Sequence, residues 1–386
     1  MSTPRKFPAR KGAILFSAGQ TAYEFVMVLE QGPHGETLLL ARKRTAQGPA
    51  GDVILKCVDL PASPTAGASR AADRLAEEVR LATYLCHPGI ARAHGLKQVE
   101  GVLYAIVECV EGNSLNTLLS VVPERITRFS NAFLLYVGAE VAQALHHAHT
   151  RTDDTGQPLG IIHRAVDLDR IWLTWSGQVK LTDFGLALSK LSGRIASTVQ
   201  RPRGNAYYAS PEALLGLTVD ARSDLFQLGL ALYELATGSH PMDPPEGLPA
   251  EVEQRLSARE RQRVEEALQA ATEAGLDGEV VEELILRAAT YTPQDVEHLA
   301  AKLPSPLRPS LNKVLQRDPD QRHHTAEELE LELRTQLARL GAYGAQEAAE
   351  ELGEVLTQAG EELVRLGGNF LPVHRRRSPD DVSTQP

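Results

Sequence analysis

Two short motifs in the middle of the chain constrain its fold more than any other feature. One spans residues 162–170 and reads Ile-His-Arg-Ala-Val-Asp-Leu-Asp-Arg, and the other spans residues 180–185 and reads Lys-Leu-Thr-Asp-Phe-Gly. Ala165 can neither accept a proton nor orient a hydroxyl group, and Arg170 has no lone pair for a metal ion. Asp183 in the second motif does offer carboxylate oxygens to a cation. Asp183 is therefore a candidate cation ligand, whereas Ala165 and Arg170 cannot supply a base or a metal ligand.

The spacing of apolar residues divides the chain into two parts. Short β-type runs come first, separated by turn residues, and cover residues 24–29, 37–41 and 53–58. Helical spacing follows at residues 71–85 and dominates after Gly112, for example at residues 130–149. We predict an α+β fold with two lobes, a small β-rich lobe followed by a larger, mainly helical lobe.

The order of the motifs resembles that of the protein-kinase family, and in particular the bacterial, eukaryotic-like serine/threonine kinases. In that family the lysine of a Val-Ala-Ile-Lys strand reaches the ATP phosphates and pairs with a glutamate of the next helix. Lys56 ends the matching strand, and Glu78 takes the place of its partner, although Glu77 beside it leaves that assignment open by one residue. Asp183 opens the Asp-Phe-Gly motif, whose aspartate binds magnesium in the family.

Four further residues belong to the nucleotide site that this resemblance implies. Gly32 and Gly35 correspond to the glycine-rich phosphate loop, with Glu30 in place of its first glycine. An ordinary hairpin turn predicts the same residues, so this segment alone decides little. Glu108 and Cys109 lie in the segment that would join the lobes, where backbone groups of the family meet adenine. The resemblance thus implies ATP as the ligand.

The catalytic loop departs from the family at two positions. Kinases carry an aspartate where this chain has Ala165, and an asparagine that binds a second magnesium ion where it has Arg170. Loss of the base costs about 10²–10⁴ in rate, and a cation at position 170 repels each unit of metal charge by about 4 kcal/mol at about 4 Å. We therefore assign no catalytic residue and expect magnesium to bind through Asp183 only, without a second metal.

Several roles of the charged loop residues stay open. Arg170 can pair with Asp183 and close the metal site, or its guanidinium can hold phosphate directly. Asp167 and Asp169 are candidate replacement bases, but loop and cap carboxylates are the favoured interpretation.

Two residues near the end of the resemblance have a structural role in the family. Glu212 belongs to Ser-Pro-Glu, the counterpart of the Ala-Pro-Glu motif, and Arg322 stands where the family keeps the arginine that pairs with it. We expect them to form a buried ion pair.

The resemblance and the composition shifts suggest the following organisation. The expected segments are an N-terminal extension (1–22), a kinase-like domain (23–340) with lobes of about 23–110 and 111–340 and a helical insertion at about 245–304, a C-terminal amphipathic helix (341–368), and a disordered tail (369–386).

Composition excludes several other classes of protein. A formal net charge of −10 argues against nucleic-acid binding, which requires a concentrated basic surface. No apolar run reaches the roughly 18 residues that a membrane span needs, and three scattered cysteines do not suggest a disulfide framework. We expect a cytoplasmic protein with at least one protein partner, and the oligomeric state stays open.

We interpret the chain as a kinase-like pseudoenzyme, a regulatory or scaffolding module with weak or no phosphoryl transfer, gated by nucleotide. Two alternatives stay open. One is an active or reassigned ATP-dependent transferase, including a nucleotidyl transferase, that uses Lys56, Glu78 and Asp183. The other is an adaptor that binds no nucleotide and presents the helical insertion or the C-terminal helix to a partner.

Overall fold

The structure is a computed structural model that describes residues 10–31, 36–60, 65–121, 129–191, 205–242, 256–273 and 278–365. These residues form a small lobe built on a β-sheet and a larger helical lobe, so the predicted α+β fold is confirmed. The glycine pair Gly32 and Gly35 and the tail at 369–386 lie outside the described residues.

The small lobe is a six-stranded antiparallel sheet with one helix. Its strands lie in the order β1-β2-β3-β4-β6-β5, and α1 connects β4 to β5. The elements are β1 (Ile14–Ala18), β2 (Thr21–Gln31), β3 (Thr37–Thr45), β4 (Gly48–Asp59), α1 (Ala66–Ala82), β5 (Ala93–Val99) and β6 (Val102–Glu108). Strand β4 lies inside the sheet between β3 and β6, which holds its side chains in fixed positions.

Residues 10–22, treated above as part of an extension, contribute an edge strand to this sheet. Strand β1 pairs with β2 from Ile14 to Ala18. Its Phe16 stacks on Tyr23 with ring centroids 4.7 Å apart and lies 4.8 Å from the ring of Tyr104. The small lobe therefore begins before residue 23, because an aromatic side chain from this segment completes its core.

The larger lobe contains a three-stranded sheet and most of the helices. Its sheet, in the order β7-β8-β9, consists of β7 (Gly112–Ser114), β8 (Ile171–Thr174) and β9 (Val179–Leu181). Its described helices are α2 (Leu115–Val121), α3 (Asn131–His149), α4 (Pro211–Leu214), α5 (Ala221–Thr237), α6 (Ala258–Glu273), α7 (Glu279–Thr290), α8 (Pro293–Ala301), α9 (Arg308–Val314), α10 (Ala326–Leu340) and α11 (Ala345–Arg365). Helices α3 and α5 are buried on nearly every side and form the centre of the lobe.

The described part of the region at 245–304 consists of α6, α7 and α8. Helix α8 starts with a capping box, in which Thr292 and Asp295 satisfy each other's backbone N–H groups. Val296 on α8 and Val264 on α6 are buried in the same core as α3 and α5. The described helices of this region are thus integrated into the lobe.

The C-terminal helix α11 packs against its own domain. Its apolar face, with Ala348, Leu352 and Val355, is buried in the core of the larger lobe. Glu351 accepts hydrogen bonds from Ser130 N–H (2.5 Å) and Ser130 Oγ (2.7 Å) at the start of α3. The domain itself therefore covers the apolar face of α11.

Close backbone contacts fasten the two lobes behind the segment that joins them. Leu181 N–H donates to the carbonyl of Gly89 (2.8 Å), and Ala91 N–H donates to the carbonyl of Leu181 (2.9 Å). A Cβ added at Gly112 would lie 2.0 Å from the carbonyl oxygen of Leu173, so this approach requires glycine. These contacts fix the geometry of the cleft between the lobes. Among the helices that the structure describes, none is long and apolar enough to cross a membrane.

Candidate functional site

The cleft between the lobes contains a lysine that is held by two carboxylates. Lys56, on the inner strand β4, lies 2.8 and 2.9 Å from the two carboxylate oxygens of Glu78 on α1. The same Nζ lies 2.9 Å from Oδ1 of Asp183, just after β9. The structure therefore brings together the three residues that the sequence assigned to the nucleotide site, although they lie far apart in the chain.

The neighbouring glutamate has a different partner, so the structure distinguishes Glu77 from Glu78. Ser189 Oγ donates to Glu77 Oε1 (3.1 Å), and Arg80 Nη1 lies 3.0 Å from Glu77 Oε2. Adjacent positions on a helix point about 100° apart, which explains why only one of the two can reach Lys56. Glu77 instead ties α1 to the segment that follows the Asp-Phe-Gly motif.

The guanidinium of Arg170 contacts two aspartates of the cleft. Its Nε lies 3.1 Å from Oδ2 of Asp183, and its Nη1 donates to Oδ2 of Asp167. The other oxygen of Asp167 accepts the backbone N–H of Arg170 at 3.0 Å. Both oxygens of Asp183 are thus bound by cations of the chain itself, one by Lys56 and one by Arg170. Of the two roles considered for Arg170, the structure shows the pair with Asp183.

The ionisation of these groups follows from burial and from their partners. Burial alone would raise the pKa of Asp183, but Lys56 and Arg170 outweigh it and hold that pKa well below its usual range. For Lys56, burial lowers the pKa, and the charges of Asp183 and Glu78 more than compensate, so its pKa is raised. Burial raises the pKa of Asp167 to about 6, because Arg170 only partly offsets it. At neutral pH the chain Lys56, Asp183, Arg170 and Asp167 alternates in charge.

The backbone around this chain of charges is held in an unusual conformation. Arg164 and Asp183 have φ angles of 64° and 68°, in the left-handed region that residues other than glycine rarely adopt. Asp224 at the start of α5 accepts the backbone N–H groups of His163 (2.8 Å) and Arg164 (2.7 Å). The ring of His163 is fully buried and packs edge-on against Phe184, with its Nε2 3.0 Å from the carbonyl oxygen of Thr182. The loop framework is therefore firmly anchored, even though its catalytic positions have changed.

Neither candidate replacement base is placed to take a proton from a substrate. Asp167 is almost completely buried and uses both oxygens on Arg170. Asp169 is exposed, and its Oδ1 accepts a hydrogen bond from Asn116 Nδ2 at 2.8 Å. Ala165 is itself buried beneath the loop surface. These positions support the interpretation of both aspartates as loop carboxylates.

In the segment that joins the lobes, the side chain of Glu108 and the backbone of the residues after it have different contacts. The side chain of Glu108 lies 2.9 Å from Lys180 Nζ on β9 and accepts the backbone N–H of Arg92 at 3.0 Å. Burial would raise the pKa of Glu108, but these two hydrogen bonds lower it. The Glu108 side chain thus links the lobes and does not point to a ligand. The backbone N–H groups of Cys109 and Val110, by contrast, make no hydrogen bond to another described residue.

The space beside Lys56 is small. A cavity of about 10 Å³ is lined by Glu36, Lys56, Arg74, Asp183 and other residues, which is room for about one water molecule. Glu36 is a residue that sequence reasoning missed, since its carboxylate enters this cavity only through the fold of β3. One of its oxygens, Oε2, is buried without a hydrogen-bond partner. Within the described parts of the chain, no three His, Cys, Asp or Glu side chains converge as metal ligands.

The expected structural ion pair is confirmed in the larger lobe. Arg322 binds Glu212 through two hydrogen bonds of 2.8 Å, one from each terminal nitrogen. Ser223 Oγ donates to the same carboxylate at 2.6 Å, and the guanidinium lies 4.7 Å above the ring of Phe226. The pair joins α4, α5 and the turn that precedes α10.

Comparison with known proteins agrees with this geometry. The model of the protein kinase domain matches residues 23–332, which is most of the chain. The chain therefore belongs to the protein kinase domain family, with two lobes and a cleft that in this family serves ATP and magnesium. Membership of the family does not by itself establish phosphoryl transfer by this chain, because its catalytic loop differs from that of the family at Ala165 and Arg170.

Several curated bacterial kinases are similar to part of the chain. The tyrosine-protein kinase MasK of Myxococcus xanthus is 36% identical over 166 residues, covering 43% of this chain and 25% of MasK. The serine/threonine-protein kinase PknA of Mycobacterium tuberculosis is 34% identical over 174 residues, covering 44% of this chain and 37% of PknA. PrkC of Bacillus subtilis is 26% identical over 262 residues, covering 68% of this chain and 33% of PrkC. The chain thus spans about a quarter to a third of the length of these relatives.

Proposed function

We propose that this chain is a pseudokinase, a regulatory or scaffolding module that performs weak or no phosphoryl transfer and acts by binding a protein partner. One observation carries the proposal. The guanidinium of Arg170 lies between Asp183 and Asp167 and binds both carboxylates, at the sequence position where the family has a metal-binding asparagine. Phosphoryl transfer in the family depends on positioned metal ions and a base, and this site holds an arginine and an alanine instead.

Opening the site to magnesium would be costly for this chain. Asp183 would have to release Arg170 to gain a free oxygen for the ion, and Asp167 would then remain buried without its partner. Leaving a buried carboxylate without its cation costs about 1–3 kcal/mol when a backbone N–H still binds it. This cost supports weak metal binding at Asp183.

Ion pairs and a hydrogen bond within the chain connect the elements that surround the cleft. Lys56 pairs with Glu78, Glu77 binds Ser189, and Glu108 binds Lys180 across the lobes. Contacts of this kind within the chain hold the two lobes together, and a fixed arrangement of the lobes presents a defined surface to a partner. This supports a scaffolding role over one that requires catalytic turnover.

Gating by nucleotide is a second candidate, and the segment between the lobes favours it. The N–H groups of Cys109 and Val110 lack a partner among the described residues, next to the buried side chain of Val107. Backbone groups of this kind are satisfied in most proteins, so a flat ligand with an adenine-like edge is a suitable partner for them. Lys56 completes the family's nucleotide contacts in this interpretation.

Label transfer from ATP tests the proposal directly. The full chain is incubated with ATP labelled at the α or γ phosphate, with magnesium or manganese, alone and with a general protein substrate. We expect no transfer of either label above the level of Lys56→Ala. Transfer by the natural chain that disappears in Asp183→Asn would overturn the proposal in favour of the active or reassigned transferase.

A restored variant provides the matched control for this assay. Ala165→Asp with Arg170→Asn and Asp167→Asn returns the family's base and metal ligand, and removes the carboxylate that Arg170 neutralises. We expect this variant to show a magnesium-dependent rise in thermal stability, because a ligand specific to the native state must stabilise it. The natural chain should show no such rise.

A further inference from the structure

The carboxylate of Glu36 lines the same small cavity as Lys56, the lysine that in the family reaches the ATP phosphates. Glu36 precedes β3, and its side chain lines the small cavity together with Lys56 and Asp183. Its Oε2 atom is buried and has no hydrogen-bond partner. An ionised oxygen in this state is unfavourable unless nearby cations compensate it, and Arg74 is close enough for the two charges to influence each other.

The cavity as a whole does not favour an added anion. Three carboxylates, Glu36, Glu78 and Asp183, face two cations, Lys56 and Arg74. Arg170 brings a further positive charge, but Asp167 offsets it. A nucleoside triphosphate carries several negative charges, which the family balances with metal ions. Here the balance is already negative before such a ligand enters.

The other end of the cleft has different chemistry. The N–H groups of Cys109 and Val110 are neutral donors, and Val107 beside them is buried and apolar. Such a surface suits a flat, uncharged heterocycle. The two ends of the cleft therefore differ in the ligands they favour.

We propose that Glu36 determines the ligand class of this cleft, so that it accepts an adenine nucleoside without phosphates in preference to a nucleoside triphosphate. The proposal rests on the nucleotide-gating candidate above. It extends that candidate by naming a residue that selects between two ligands. Glu36 excludes the phosphates in two ways, by the charge of its carboxylate and by the volume that it fills beside Lys56.

Affinities of adenosine and ATP for the full chain test this proposal by isothermal titration, with chelator and again with magnesium. For the natural chain we expect adenosine to bind about tenfold more tightly than ATP, because of the charge balance in the cleft. Glu36→Gln keeps the shape of the side chain and removes its charge. We expect it to tighten ATP binding by about tenfold and to change adenosine binding by less than about twofold.

Glu265→Gln is the matched control, because it removes the same charge from the exposed face of α6 in the larger lobe. It should change the affinity for ATP by less than about threefold, since an exposed charge is screened by water and salt. The gain in Glu36→Gln should also vanish when Lys56→Ala is added, because the phosphates then lose their cation. Thermal unfolding of each variant without ligand verifies that it is folded.

Three outcomes would overturn the proposal. They are an unchanged ratio of the ATP and adenosine affinities in Glu36→Gln, an equal effect of Glu265→Gln, and absence of adenosine binding to the natural chain. None of them affects the pseudokinase proposal, which depends on label transfer. Conversely, label transfer by the natural chain would overturn the pseudokinase proposal, whereas the role of Glu36 would still be tested by the ratio of the ATP and adenosine affinities.

Discussion

Two buried arginines in this molecule have the same chemistry and different consequences. Arg322, in the larger lobe, is fully buried, and Arg170, in the cleft, has 12% of its side chain exposed. Arg322 binds Glu212, and Arg170 binds Asp167 and Asp183. Arg322 stands at a position where the family has an arginine, whereas Arg170 replaces a metal-binding asparagine. The first preserves the fold and the second changes what the site can hold.

The hydrogen bonds of the two guanidinium groups explain the contrast. Arg322 donates to both oxygens of Glu212, and also to the carbonyl groups of Gln316 (2.7 Å), Arg317 (2.9 Å) and Arg222 (3.2 Å). These bonds use all five of its N–H donors. Arg170 donates through its side chain to Asp183 and Asp167. A fully satisfied guanidinium is fixed in place, whereas a partly satisfied one can be displaced by a competing cation.

The largest effect is expected from Arg322→Ala. This change leaves Glu212 buried and without its cation, so we expect a loss of about 3–5 kcal/mol in the free energy of unfolding. Denaturant unfolding followed by circular dichroism measures it. Arg222→Ala is the control, because Arg222 pairs with Asp220 and Asp320, whose side chains are 47% and 77% exposed, and should cost about 1 kcal/mol or less. Equal losses in the two variants would contradict the contrast between buried and exposed pairs.

A smaller loss is expected from Arg170→Ala. Asp183 keeps Lys56 as a partner, but Asp167 becomes a buried carboxylate without its guanidinium, at a cost of about 1–3 kcal/mol. Adding Asp167→Asn removes that charge and keeps an oxygen for the backbone N–H of residue 170. We therefore expect the double variant to be more stable than Arg170→Ala in the same unfolding experiment. A double variant that is less stable would mean that Asp167 does not depend on Arg170.

The carboxylates beside these arginines should titrate with opposite effects on stability. Burial raises the pKa of Asp167 to about 6, above the unfolded value of about 3.9. The folded state therefore holds this proton more tightly, and stability falls by about 1 kcal/mol between pH 5 and 7. For Glu212, burial acts in the same direction, but hydrogen bonding and charge from Arg322 outweigh it and lower the pKa. Its contribution is present above about pH 4.3 and is lost as the pH falls further.

Unfolding curves of the natural chain and of Asp167→Asn, measured from pH 5 to 7, separate the two effects. As the pH rises from 5 to 7, the natural chain should lose more free energy of unfolding than Asp167→Asn does, because this variant lacks the titrating group. A difference that does not change over this range would show that Asp167 is already ionised at pH 5.

Sequence patterns predicted the residues that lie in contiguous motifs. Lys56, Asp183, Glu212 and Arg322 each have neighbours of a recognisable type, and the structure places them as the family resemblance implied. Helix α10, Ala326–Leu340, likewise follows from local signals, because Thr325 caps its start and Gly341 follows its end.

Other features depend on three-dimensional proximity, which a linear pattern does not contain. The choice between Glu77 and Glu78 depends on the rotation of α1 against β4. Asp167 was noted only as a loop carboxylate or a replacement base, although a spacing of three residues from Arg170 is a signal for a local ion pair. Glu36 gave no signal at all, because only the fold of β3 brings it beside Lys56.

The smallest effect is expected at the contact between α11 and the rest of the larger lobe. Glu351 accepts hydrogen bonds from Ser130 and from the hydroxyl of Tyr343 (2.6 Å), at a partly exposed site. Glu351→Gln keeps one acceptor oxygen and should cost about 0.5–1.5 kcal/mol. Hydrogen exchange should show faster opening of α11 in this variant, with unchanged exchange in the segment around Arg322. Faster exchange at both places would contradict this expectation. It would show that α11 and the segment around Arg322 open together as one cooperative unit.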